Sequence, residues 1–384
     1  MKLRFQRDTL LNALTPMLGS VSGKNTLPSI SGILFDAEEK EDSCVLSAYD
    51  LEKGMQTELA CQIEEKGKVV LGAVKLVQIL RTMPNDTVKI EVNESNMKAT
   101  VSAGQATFEF SAIPGKDFPA MPYLSGDHGF LIQKKDLSQM IGRIMFAVAQ
   151  NDSRPCLNGA FFRIKGNRIT TVGCNGNCLS MSEMNCDLQI TTDTSELNME
   201  FIIPGKTLSE MMKLLSDSEE TVELQLTRKH VILKTASFVL FSRLIEQEYV
   251  DYTRFLPKAS KTFTDVSREE LISSLERAML VTEDRLAGQA KSPVRLIFSE
   301  DVLTVRSDSI ASRVEDTIPI TLQGDGLEIG FNCRLLMDAL KVADGENLHL
   351  SLTSALMSMI IEPVEKDENN HYLLLVLPVR LGGK

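Results

Sequence analysis

Cys174, Cys178 and Cys186 form the densest group of potential metal ligands or nucleophiles in this sequence. A structural zinc site closes a tetrahedron, usually from two close pairs of soft ligands. Here there is no CxxC knuckle and no second pair, so the seven cysteines are expected to be reduced, mostly buried thiols. The four histidines, His128, His230, His349 and His371, are scattered, and none is spaced to ligate a metal or to activate a nearby nucleophile. GDGLEIG, from Gly324 to Gly330, lacks the GxGxxG spacing of a dinucleotide loop and leads into the strand-like EIGF, so a turn is expected. Neither a GxxxxGK[ST] phosphate loop nor a GxSxG elbow occurs. The acidic pair Glu219 and Glu220 sits in a Ser-rich stretch where solvation is the expected role. A chain without these constellations is expected to bind rather than catalyse, and no cofactor is called for.

The elements that would carry any site repeat with a period of about 130 residues, which sets the architecture before any local assignment. Each third opens with a strand leading into a helix: FQRDTLLNALTPML from Phe5, IQKKDLSQMIGRIMFAV from Ile132 and DVSREELISSLERAMLV from Asp265. In the second and third of these, apolar residues recur at three-to-four spacing, the pattern of a core-facing helix. Strands follow at LPSISGILF, RPCLNGAFFRI and KSPVRLIF, and then at CVLSAYD, RITTVGC and VLTVRSD. A second helix is expected at VKLVQILRTM from Val74, KTLSEMMKLL from Lys206 and CRLLMDALKV from Cys333. Paired strands close each unit, as in TVKIEVN with KATVSA, TVELQLT with HVILKTA, and NLHLSLT with MSMII. Pro, Gly and acidic residues interrupt the pattern near 118–129 and 254–261, which places three domains at 1–126, 127–256 and 257–384. The fold class is α+β, three tandem copies of two helices against antiparallel sheets.

At 384 residues with a formal charge of -11, the chain is too acidic for its whole surface to embrace phosphate. The second helix of each third departs from that average. Lys75, Arg81, Lys206, Lys213, Arg334 and Lys341 there outnumber Glu210 and Asp338. Helices gathered on one side would give a basic lining with acidic sheets outside, suited to duplex backbone rather than to base edges. MKLRFQRDTL has no basic region followed by an apolar stretch, and no run approaches 18 apolar residues, so a cytoplasmic protein without membrane contact is expected.

GKNTLPSISGILF, RPCLNG, DYTRFLP, IGFNCRLLMDALKV and the near-terminal LPVRL, in this order and spread over the whole chain, resemble the bacterial sliding clamps, the beta subunits of DNA polymerase III. The resemblance implies three DNA-clamp domains per chain and a head-to-tail homodimeric ring, with helices lining a hole for duplex DNA. It implies a non-catalytic processivity factor for DNA replication. Its partners would be the polymerase III alpha subunit, the clamp loader and other proteins carrying a clamp-binding motif.

Carried over position by position, the family's peptide cleft falls on Arg154, Leu157, Leu179, Arg254, Phe255 and Ser358, and on Val376, Leu377, Pro378, Val379, Arg380 and Leu381. Apolar walls from Leu157, Leu179, Phe255, Leu377 and Val379 would take a peptide's hydrophobic anchors, with Arg154 and Arg380 fixing its polar ends. DNA contacts are expected at Lys24, Lys75, Arg81, Gln150, Asn151, Lys206 and Lys213. The subunit junction is expected between Phe108 and Phe110 on a first-domain strand and Leu280 and Val281 after the first helix of the third domain. The chain departs from the family at NGNCL, Asn175 to Leu179, where an Asp-Gly-His-Arg-Leu type run is usual, and in the tail Gly382, Gly383 and Lys384. Two alternatives from other classes stand beside it: a protein-interaction scaffold without a DNA role, which release from a DNA circle on linearisation would exclude, and a hydrolase or metalloenzyme with dispersed residues, which metal analysis of the purified protein would reveal.

Overall fold

A computed structural model describes residues 1–23, 27–84, 86–122, 125–192, 196–215, 218–257, 259–283, 292–309 and 312–381. Lys24 and the tail from Gly382 to Lys384 lie outside the described residues. Among those described there are six α-helices: α1 Arg7–Met17, α2 Ala73–Thr82, α3 Lys134–Met145, α4 Gly205–Leu214, α5 Arg268–Glu283 and α6 Cys333–Val342. They fall in pairs, two to each third of the sequence. None is long and apolar enough to cross a membrane.

The apolar spacing accounts for the helices. In α2, Ala73, Leu76, Val77 and Leu80 form the buried stripe; in α6, Cys333, Leu336, Met337 and Leu340 take the matching places. Asn332 starts α6 by accepting from the amides of Arg334 and Leu335 at 3.1 and 3.4 Å, which satisfies donors the helix leaves free. Pro84 follows close after α2, where the helix has already ended at Thr82.

Contacts divide the chain into two compact units. The first comprises 1–135, 187–196 and 206–244. It holds a five-stranded sheet and a ten-stranded sheet. The larger sheet is continuous because Lys53–Ala60 of the first third pairs antiparallel with Phe238–Arg243 of the second, in register from Phe238 opposite Thr57 to Ser242 opposite Lys53. Thr57 Oγ1 also donates to the carbonyl of Ser237 at 2.7 Å.

The second unit comprises 136–186, 197–205 and 245–384, with an eight-stranded and a four-stranded sheet. Here Cys178–Asn185 of the second third pairs with Asn370–Val376 of the last, Cys178 opposite Val376 and Met184 opposite Asn370. The middle third therefore supplies strands to both units. Against the four-stranded sheet, α5 and α6 bury a core that includes Leu271, Leu275, Leu296, Val305, Ile329, Leu336 and Leu340.

The chemistry-bearing residues are absorbed by this frame. All seven cysteines are free; burial pushes Cys178 and Cys186 up to about 12 and Cys61 to about 11, so these three are not ready thiolates. No group of three or more His, Cys, Asp or Glu among the described residues is placed to hold a metal ion. His128, His230, His349 and His371 each lie on a different strand. Gly324 is a turn glycine with φ +100, and a Cβ there would stand 2.2 Å from the carbonyl oxygen of Lys261. Glu219 and Glu220 pair with Lys135 and Lys134.

Candidate peptide cleft, nucleic-acid interface and edge strands

Most of the expected cleft positions gather around one cluster in the second unit. Pro155–Asn158 forms a short 3-10 turn that drives Leu157 inward; Leu157 and Leu179, each 1% exposed, pack with Phe161, Val172, Ile202, Tyr252, Leu373 and Leu375. They are the floor of the region rather than its open wall. That floor is rigid, because Phe161 stacks on Tyr249 with centroids 5.4 Å apart and the strands behind it are fully paired. The apolar groups left in reach of a ligand are Phe255, 50% exposed, with Leu377 and Val379. Val376 and Ser358 are buried, Pro378 and Leu381 partly so.

Arg154 is exposed but engaged. Asp152 accepts from its backbone amide at 2.9 Å, from Nε at 3.0 Å and from Nη2 at 3.2 Å, and this guanidinium holds the Asp152 carboxyl below the usual carboxylate range. Arg254 pairs in the same way with Asp251 at 2.7 Å. Arg380 has no ion-pair partner among the described residues and lines a cavity of 160 Å³ with Val379, Arg334 and Met279. A larger recess of 810 Å³ lies in the first unit, floored by Leu34 and Val69, away from every expected position.

The NGNCL departure has a local structural role. Asn175 Oδ1 accepts from the amides of Asn177 and Cys178 at 3.0 and 2.8 Å, and its Nδ2 donates to the carbonyl of Phe146 at 3.4 Å. Gly176, with φ +85, then turns the chain beside Arg154, whose Nη2 would stand 3.4 Å from a Cβ at that position. The C-terminal segment is tied in by backbone bonds, Leu377 N to Asn177 O at 2.8 Å and Val379 N to Gly330 O at 2.9 Å.

The helix cations differ in how much field they offer. Lys75 is exposed and sits 5.4 Å over the Phe110 ring. Arg81 and Lys206 are exposed, with no ion pair among the described residues. Lys213 is held by Glu210 at 2.8 Å, and Glu210 is itself buried against the backbone of Gly19. Gln150 and Asn151 are exposed, Asn151 in the left-handed region with φ +61. Lys206→Ala is therefore expected to weaken DNA binding and lower its salt dependence by about one counterion, whereas Lys213→Ala does so by about half of that or less. Binding titrations over a range of salt concentrations check the order, and equal effects would contradict it.

Among the described residues, two long sheet edges are open. Ala106–Ser111 ends the five-stranded sheet and Arg313–Pro319 ends the four-stranded one. The other long edges are partly covered: Asn198–Pro204 by Ile245, Thr262–Ser267 by Gln323, and Leu327–Phe331 by Val379. Phe108 is exposed on the first open edge and Phe110 is buried beside it. Leu280 and Val281 lie within α5 rather than after it, where the family resemblance places them, because the helix continues to Glu283. Its turns place Leu280 outward, 76% exposed, and Val281 inward.

Profiles of the DNA polymerase III beta subunit match in series: the N-terminal domain at 1–122, the central domain at 131–251 and the C-terminal domain at 253–380. The chain belongs to that family. It is 29% identical to the beta sliding clamp of Pseudomonas aeruginosa, over 99% of this chain and 100% of that protein, and 27% identical to that of Halalkalibacterium halodurans, over 97% and 98%. Among solved structures it resembles the DNA polymerase sliding clamp of Bacillus subtilis, with TM-score 0.88, 26% identity and full coverage of both chains. It also resembles the Pseudomonas aeruginosa clamp bound to griselimycin, with TM-score 0.86, 28% identity and 99% and 100% coverage. The fold is three tandem clamp domains, and the sliding clamps of this family are processivity factors of DNA polymerase III with no catalytic centre.

Two groups beside the clamp positions escaped the sequence reading. Tyr252, one residue before the Thr-Arg-Phe of DYTRFLP, is buried against Phe161 with ring centroids 6.2 Å apart. Leu356 and Met357 project from the turn before Ser358. Met359 pairs with Val376, so this turn adjoins Leu377. Two large apolar residues at a hairpin tip were the available signal.

Proposed function

We propose that two copies of this chain close head to tail into a ring around duplex DNA, and that the ring holds the polymerase on its template. The open edges carry this reading. An edge strand left bare invites pairing. Ala106–Ser111 of one protomer with Arg313–Pro319 of its partner removes both edges, and two such junctions close a ring. Each protomer contributes three clamp domains, at 1–126, 127–256 and 257–384, with the helices toward the hole. Lys24, Lys75, Arg81, Gln150, Asn151, Lys206 and Lys213 meet the backbone without reading sequence. Retention then comes from enclosure, and loose, salt-sensitive contacts allow sliding.

The rim site is the surface over the Leu157 and Leu179 floor, where Phe255, Leu377 and Val379 take the apolar side chains of an extended peptide and Arg380 an acidic or terminal group. The polymerase III alpha subunit, the clamp loader and other proteins bearing such a motif are the partners, in the cytoplasm.

Loading by a clamp loader and ATP on a nicked plasmid circle tests both parts. The chain is expected to co-elute with the circle and to leave once the plasmid is linearised. The Phe255→Ala, Leu377→Ala pair should be retained equally well yet lose about tenfold or more of its stimulation of the polymerase. Retention that ignores linearisation contradicts enclosure, and a protein that binds partners but never the circle is a scaffold.

A further inference from the structure

Asp316 stands on the inner face of the open edge strand Arg313–Pro319, between partly buried Val314 and buried Ile318. Outward, the strand shows Arg313, Glu315 and Thr317. A carboxylate turned toward a helix–sheet core is costly unless it is paired and hydrogen-bonded. Here it is. Ser274 Oγ donates to Asp316 Oδ2 at 2.8 Å, Arg277 Nε donates to the same oxygen at 2.8 Å with Nη2 beside it, and the amide of Thr317 donates to Oδ1 at 3.0 Å.

Ser274 and Arg277 both belong to α5, so one helix grips the edge strand through a single side chain. An apolar residue at 316 would bury as well but would not fix the strand's position along the helix. Arg277 is also three residues from Leu280, on the same side of α5. The register that holds Asp316 therefore sets where Leu280 stands relative to the open edge.

We infer that Arg277 and Asp316 are positioning residues for ring closure, locking the open edge strand to α5 so that the strand and Leu280 meet the partner subunit as one prearranged surface. This rests on the ring reading above. Prearrangement lowers the cost of ordering a surface on association, so its loss weakens binding without removing a contact to the partner.

Sedimentation equilibrium of Asp316→Asn and Arg277→Met tests it, with hydrogen exchange of the Arg313–Pro319 amides and thermal unfolding alongside. Each variant is expected to raise the dimer dissociation constant by about tenfold. The double variant should be no worse than the single ones, as one shared interaction requires. Exchange should quicken at Arg313–Pro319 while the rest of the second unit keeps its protection and melting temperature. A dimeric parent whose variants associate as tightly overturns this inference alone, as does exchange that rises across the whole second unit. A parent chain that is monomeric at micromolar concentration overturns the ring reading and this inference with it.

Discussion

Leu280→Asp is expected to yield a folded chain that sediments as a monomer of 42.5 kDa under conditions where the parent forms a dimer. Leu280 is 76% exposed, so the substitution removes almost no packing within the chain. The cost to the isolated protein is a weaker helix former near a helix C-terminus, about 0.5–1 kcal/mol. At the proposed subunit junction the balance reverses. Burying a leucine there contributes about 2 kcal/mol, and an unpaired carboxylate in its place costs several more. A change of 3 kcal/mol or more corresponds to a rise of roughly 150-fold or beyond in dissociation constant. Leu280→Met, which keeps volume and polarity, should leave the dimer intact. Light scattering across a dilution series reads both. If Leu280→Asp remains as tight a dimer as the parent, the subunit contact lies elsewhere on the chain.

How far the sequence could carry this depends on whether a feature is local. The stripes of α2 and α6 follow from spacing alone, and so do the alternating strands. Strand partners do not. Nothing in KGMQTELA says that it meets FVLFSR nearly 200 residues later, because a period of two fixes which face is buried and not which edge is joined. The same limit hid the fate of Leu157 and Leu179. Their types suit the wall of a peptide groove, yet their depth is set by Phe161, Tyr252 and Leu375, which arrive from three other segments.

Charge was legible in count but not in availability. Lys213 and Glu210 are three residues apart on one helix, a pairing the sequence permits; only the fold shows Glu210 pinned beneath Gly19, with Lys213 held over it. NGNCL marked a departure from the family, and the reason it is tolerated was open to inspection. Asn followed by Gly is a turn signal, and Asn175 caps the turn with its own side chain. The helical pattern from Asp265 already runs through Leu280 and Val281, and only the position-by-position resemblance sets them past the helix end; boundaries are the least readable part of any helix.

The largest expected effect on stability belongs to a residue outside every expected binding position. Arg143, at 5% exposure, ties α3 to the strands Cys178–Asn185 and Asn370–Val376 and to the chain just after α6. Its Nη2 lies 2.5 Å from Asp344 Oδ2, its Nη1 donates to Asn370 Oδ1 at 2.5 Å and to Ser182 Oγ at 3.2 Å, and its plane sits 4.6 Å from the centroid of Tyr372. Arg143→Met keeps a flexible apolar stem over Tyr372 but leaves Asn370 and Ser182 short of a donor. Breaking a buried pair from one side costs about 3–5 kcal/mol. Asp344 is 56% exposed and can return to water, which draws the expectation down to about 2–4 kcal/mol. At about 2–4 °C per kcal/mol for a unit of this size, calorimetry should show the second unit melting roughly 5–15 °C lower. Arg143→Lys should fall between, since an ammonium keeps the charge but cannot span three acceptors with a planar fork. Asp344→Asn should cost least, because the hydrogen bonds of Arg143 to Asn370 and Ser182 survive. If Arg143→Met melts at or above the parent, the methionine packs better than the ion network holds, and the tie among these elements is apolar rather than electrostatic.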